Sequence, residues 1–222
     1  MNDHPELIVM LTHNDLTLEN AAEVFETYKN SKAEYWGFKE KPIGFEKMKK
    51  LFGYMKDCGK KTVLEVVSYE EKECVRGAEA AVSCGCDYLM GTMYFDSVSQ
   101  ICAQNNIKYM PFAGEVYGRP SILGGSVESI IAQAKELSSK GVYGFDLLGY
   151  RFTGNASLLN ERFVSQIDLP VCIAGSINSF ERLDEIKAVS PWAFTVGSAF
   201  FENKFGADIA EQIDCVCDYI KS

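Results

Sequence analysis

Histidine is nearly absent from this chain: 222 residues hold only His4 and His13. A metal centre built on several imidazoles is thereby excluded, because such sites draw multiple nitrogen ligands from the protein. The eight cysteines include no C-x-x-C pair; Cys84 and Cys86, like Cys215 and Cys217, are separated by one residue. No apolar run approaches the ~18 residues of a membrane span, and Met1 to Glu6 is too polar for a signal peptide. The expectation is a cytoplasmic protein with reduced, mostly buried thiols, off the membrane. Cations are also scarce. Against 31 Asp and Glu stand 22 Lys and Arg, a net charge of -9. That balance argues against nucleic acid or an anionic membrane as partner.

What the chain does have is regular alternation. A hydrophobic fraction of 47% and a charged fraction of 24% suit a globular core. Short β-branched runs, beginning with Leu7 to Thr12, Ala33 to Lys39 and Thr62 to Val67, are each followed by a helical segment. Further strands are expected at Tyr88 to Gly91, Ile107 to Phe112, Val142 to Leu148, Pro170 to Ala174 and Ala193 to Val196. Helices fall between them, the first from Thr17 with Thr17 as N-cap and the last from about Gly206 to Ile220. Eight β-then-α units averaging ~28 residues imply a parallel sheet with right-handed crossovers, and eight units favour a closed (β/α)8 TIM barrel. An open doubly wound sheet would want a G-x-G-x-x-G turn after strand one, and THNDL lacks it. With no linker or low-complexity stretch, residues 1–222 read as a single domain.

In such a barrel the active site lies at the C-terminal strand ends. Glu65 stands among Val63, Leu64, Val66 and Val67, where a lone carboxylate is costly unless hydrated or paired. It is either a catalytic group at the mouth or half of a structural ion pair. Lys39 ends the neighbouring strand. It is a candidate for Schiff-base or proton-transfer work, with a solvated loop lysine as the bland alternative. Asp146 on strand six supplies a second carboxylate for acid–base chemistry, or else orients the loop at Gly149. His13, ending strand one, is a candidate acid–base group; Asp15 beside it reads as a cap for the first helix. Arg119 and Arg151, in the two longest βα loops, are candidate anion clamps or lid residues, or plain surface arginines.

The last quarter carries the sharpest pattern. LPVCIAGSINSFERLDEI and PWAFTVGSAFFE each run from a short strand into Gly-Ser and then a helical segment. Gly175-Ser176 and Gly197-Ser198 offer backbone N–H donors and hydroxyls at the ends of strands seven and eight, the expected phosphate site of a barrel.

These two turns resemble those of the ribulose-phosphate-binding barrel superfamily, with Ser176 standing where a second glycine is usual. The resemblance implies a small phosphorylated metabolite as ligand, most simply a sugar phosphate, and isomerase, epimerase, aldolase or lyase chemistry without metal or cofactor. No single member's catalytic pattern fits. The decarboxylase D-x-K-x-x-D is replaced by VLEVVS. The histidines of zinc-type pentose-phosphate epimerases are missing, as are the strand-one and strand-five aspartates of the histidine-pathway isomerase. GKKTVLEVVS, CDYLMGTMYFDSVSQ and YGFDLLG are also similar in placement to the glycerol-operon antiterminator barrel. A non-catalytic, phosphate-ligand-sensing regulatory barrel is therefore the alternative. Phe200, Phe201, Phe205 and Tyr219 leave room for a homo-oligomeric contact.

Overall fold

Eight parallel strands alternate with helices through residues 4–222, the part of the chain that the computed structural model describes. The strands are β1 (Glu6–Met10), β2 (Tyr35–Lys39), β3 (Lys61–Val66), β4 (Tyr88–Gly91), β5 (Lys108–Met110), β6 (Phe145–Leu147), β7 (Val171–Ile173) and β8 (Ala193–Val196). They are hydrogen-bonded in the order β6-β7-β8-β1-β2-β3-β4-β5. Across the remaining seam, Tyr143 N–H donates to Tyr109 O at 2.9 Å and Asp146 N–H to Pro111 O at 3.0 Å. The result is a nearly closed (β/α)8 barrel.

Strand alternation divides the core in two. Ile8, Met10, Val63, Met90, Met110 and Cys172 fill the barrel interior. Val9, Trp36, Phe38, Leu64, Leu89 and Phe194 point outward and pack on the helices, so the strands are buried on both faces, as parallel strands require. The helices are α1 (Ala21–Tyr28), α2 (Phe45–Asp57), α3 (Glu71–Cys84), α4 (Asp96–Gln104), α5 (Val127–Ser138), α6 (Ala156–Gln166), α7 (Phe180–Val189), the single turn α8 (Ser198–Phe201) and α9 (Ile209–Lys221). The side chains of Ser126, Asn155, Ser179 and Asp208 cap α5, α6, α7 and α9. Among the described residues no helix is long and apolar enough to cross a membrane.

At the N-terminal end, the rings of Tyr35, Tyr88, Tyr143 and Trp192 meet with centroids 5.4 to 6.2 Å apart. Lys61 and Lys108 each sit 4.6 Å over a tyrosine ring. This aromatic floor packs the bottom of the barrel and leaves the C-terminal end for a ligand.

Local departures from the sequence reading have clear causes. Thr17 does not cap α1. It lies in a small hairpin (Thr12–His13 with Leu16–Thr17), where its hydroxyl donates to Lys39 O and accepts from Lys39 N–H. Residues 113–125 also fold as a hairpin, Glu115–Tyr117 against Ile122–Gly124. Phe200 and Phe205 are buried in the chain's own core, where Phe205 packs on Phe180 and Phe180 on Tyr219. Phe200 and Phe205 are thus used internally, whereas Phe201 and Tyr219 are half-buried. All eight cysteines are free thiols, six of them buried, with Cys58 half-buried and Cys215 exposed.

Candidate active site at the barrel mouth

The parallel register sets Lys39 directly beside Glu65 on the adjoining strand. Alternation turns both side chains inward at the last position before the mouth, and Lys39 Nζ stands 3.5 Å from Glu65 Oε1. A second carboxylate reaches the same ammonium. Asp15 Oδ1 accepts from Lys39 Nζ at 2.6 Å and lies 3.3 Å from Arg151 Nη2. These four side chains line a cavity of about 220 Å³. Lys39 is buried, so the solvated-loop reading of that residue is wrong.

Burial works against the Lys39 charge, but Glu65 and Asp15 outweigh it, and the ammonium is held above its ordinary 10.5. Burial likewise works against an ionised Asp15, yet Lys39 and Arg151 keep its carboxyl below the usual 3.8. Asp146 is deeper. It is fully buried, and neither carboxyl oxygen has a hydrogen-bond partner among the described residues. Burial, reinforced by the neighbouring Glu65 and only partly opposed by Lys39, pushes this carboxyl well above the ordinary range. Its free oxygens show that it does not orient the loop at Gly149; Asn160 is the side chain packed there.

The two Gly-Ser turns form the opposite wall of the same cavity. Gly175 has φ +87° and Ser176 φ +54°, consecutive left-handed residues that turn successive amides to one side. Among the described residues, no protein acceptor takes the N–H of Gly175, Ser176, Ile177 or Asn178, nor those of Ser198 and Ala199. A Cβ on Gly175 would lie 2.8 Å from Arg151 Cγ, and one on Gly197 would lie 2.6 Å from Thr12 Oγ1. Both glycines are therefore needed for close approach, Gly175 also for its backbone angle.

The remaining candidates lie outside the cavity. His13 is at the rim, 3.7 Å from Glu202, with its ring edge-on to Phe201. Arg119 donates to Val67 O at 2.6 Å and fastens the 115–124 hairpin to the end of β3, so it is no anion clamp in this structure. Asp15, read from sequence as a helix cap, is instead the central carboxylate of the site. The Asn14-Asp15 pair between two short β-type dipeptides signals the turn, a type I′ hairpin pattern, but not where that turn aims Asp15. Both residues are left-handed, with φ 50° and 67°.

No family model matches the chain, and no curated protein matches it in sequence. Solved structures match it in fold. Orotidine 5'-phosphate decarboxylase from Pyrococcus horikoshii OT3 superposes with a TM-score of 0.71, covering 97% of this chain and 99% of its own at 10% identity. N-(5'-phosphoribosyl)anthranilate isomerase from Pyrococcus furiosus gives 0.68, with 98% and 99% covered at 14% identity. Tryptophan synthase from M. tuberculosis gives 0.68, with 99% and 94% covered at 11% identity. The chain is thus a TIM barrel, similar in fold to these proteins.

Proposed function

We propose that the C-terminal mouth binds a small phosphorylated metabolite, a sugar phosphate, and catalyses an isomerase- or epimerase-type proton transfer next to a carbonyl group. The observation that carries this reading is the sharing of one cavity by six unoccupied amides on one wall and the Lys39–Glu65 pair on the other. Free N–H groups of Gly175, Ser176, Ile177, Asn178, Ser198 and Ala199 suit a phosphate without a dedicated cation. Proton abstraction beside a carbonyl needs a base and a positive charge to stabilise the enolate. Glu65 fits the first role. Lys39, paired with two carboxylates and held protonated, fits the second. A Schiff base needs the neutral amine, so the same pairing counts against aldolase or lyase chemistry through Lys39. Asp146, whose carboxyl burial pushes upward, is poorly suited to act as an ionised base and leaves that role to Glu65.

The test is wash-in of solvent deuterium, followed by NMR, with triose, tetrose and pentose phosphates. Exchange at the carbon beside the carbonyl, lost in Glu65→Gln, is expected, together with no borohydride-trapped adduct on Lys39. A trapped adduct would overturn the enolate role of Lys39. Binding of these ligands without exchange would favour the sensing barrel.

A further inference from the structure

Five charged side chains line the cavity: Lys39 and Arg151 on one side of the balance, Asp15, Glu65 and Glu202 on the other. Phosphate-ligand sites commonly keep a surplus of cation. Here each cation has a carboxylate partner from the protein, and the point of convergence between them is already filled. Asp15 Oδ1 is that point, 2.6 Å from Lys39 Nζ and 3.3 Å from Arg151 Nη2.

We propose that Asp15 is a specificity-determining residue: its carboxylate occupies the subsite between Lys39 and Arg151 and denies it to any ligand carrying a second anionic group. This rests on the reading of the mouth as a phosphate-ligand site. The chain holds Asp15 there deliberately. Asn14 and Asp15 take left-handed angles at the tip of the Thr12–Thr17 hairpin, a conformation that costs non-glycine residues energy and persists where the surroundings fix it. The surroundings do so from both sides. Thr17 Oγ1 is bonded to both Lys39 N–H and Lys39 O, at 2.9 and 2.7 Å. Asn14 N–H donates to Ser198 Oγ at 3.1 Å, which ties the hairpin to the second Gly-Ser turn.

A ligand with one phosphate and an otherwise uncharged skeleton meets neutral amides at one end and a balanced ion network at the other. A ligand that adds a carboxylate or second phosphate must place it against Asp15, Glu65 or Glu202. Arg119 lies outside the cavity, turned away to Val67 O, and the two described cations that line it, Lys39 and Arg151, are already paired with carboxylates. Selection against the wrong ligand by an opposing charge is a common route to specificity.

The probes are inorganic phosphate, glycerol 3-phosphate and 3-phosphoglycerate, the last two sharing a three-carbon skeleton and differing by a carboxylate. Calorimetry on the wild-type chain is expected to show glycerol 3-phosphate binding at least tenfold more tightly than 3-phosphoglycerate. In Asp15→Asn the order reverses, because Lys39 and Arg151 lose the carboxylate that competes with the ligand's second anionic group. Adding Arg151→Gln to Asp15→Asn removes the gained affinity for 3-phosphoglycerate. Equal wild-type binding of the two three-carbon ligands overturns the proposal, and this arm needs no variant. An unchanged ratio in folded Asp15→Asn overturns it as well. Failure of the wild-type chain to bind inorganic phosphate or glycerol 3-phosphate is a separate result, which sinks the underlying phosphate-site reading and the proposal with it.

Discussion

Lys39→Met keeps the buried aliphatic stem of the side chain and deletes the ammonium that Asp15 contacts at 2.6 Å and Glu65 at 3.5 Å. Removing one partner of a buried ion pair costs about 3–5 kcal/mol, because the other charge stays buried and uncompensated. The lower end applies here: Asp15 keeps Arg151 at 3.3 Å, and its side chain retains 19% exposure. For a chain of this size 1 kcal/mol corresponds to ~2–4 °C, so a loss of about 3 kcal/mol lowers Tm by about 6–12 °C at pH 7. The deficit depends on pH in a fixed direction. Burial alone would raise the Asp15 carboxyl, but Lys39 and Arg151 hold it below 3.8 in the folded chain. Stability from that pairing is complete above 3.8 and is lost as pH falls through the folded value. The gap between wild type and Lys39→Met therefore narrows in acid. Differential scanning fluorimetry and urea titration at pH 7 and at pH 3 read both effects. A Tm loss below about 2 °C at pH 7, at most about 1 kcal/mol on this scale, would refute the buried-pair account. So would an equal deficit at both pH values.

Two further outcomes follow from the same site. Gly175→Ala forces φ +87° on a residue with a Cβ and sets that atom 2.8 Å from Arg151 Cγ. The left-handed backbone alone costs about 1–2 kcal/mol, and with the amides displaced, calorimetry should show inorganic phosphate binding at least ~10-fold weaker, about 1.4 kcal/mol; unaltered binding would remove this turn from the anion site. Asp146→Asn tests the buried carboxyl. Burial and Glu65 raise the folded value far above 3.8, so the folded chain keeps a proton that the unfolded chain releases. Stability from this group is whole below 3.8 and drains away as pH rises toward the folded value. Urea midpoints of Asp146→Asn should consequently fall less than those of wild type between pH 5 and pH 8, and parallel profiles would contradict the shift.

The eight strand-and-helix units were legible because each barrel strand is a short apolar run and each helix an amphipathic one, patterns set by neighbours in sequence. Lys39 and Glu65 were legible for a related reason: a charged residue inside such a run must find compensation where the strand ends. Asp15 was not, since its role depends on which strand lies beside β1 and on a left-handed turn that aims it sideways. Arg119 and Arg151 show the same limit. Both lie in long βα loops, but one is fixed on Val67 O and the other lies along Gly175, and nothing within either loop's own sequence distinguishes them. Phe200 and Phe205 misled as a surface signal because the first turns inward from α8 and the second from the loop after it, so the two rings meet in the chain's own core.

The Thr12–Thr17 hairpin has a consequence for how the site comes into being. Through Asn14 it holds Ser198, and through Asp15 it holds Lys39 and Arg151. Its partners thus lie between 24 and 184 residues away along the chain. Lys39, Asp15 and Arg151 all precede both Gly-Ser turns in the chain, so the two walls of the mouth come from different ends of the sequence. The mouth is therefore complete only where β8 pairs with β1, and its geometry is a property of the closed barrel rather than of any one unit.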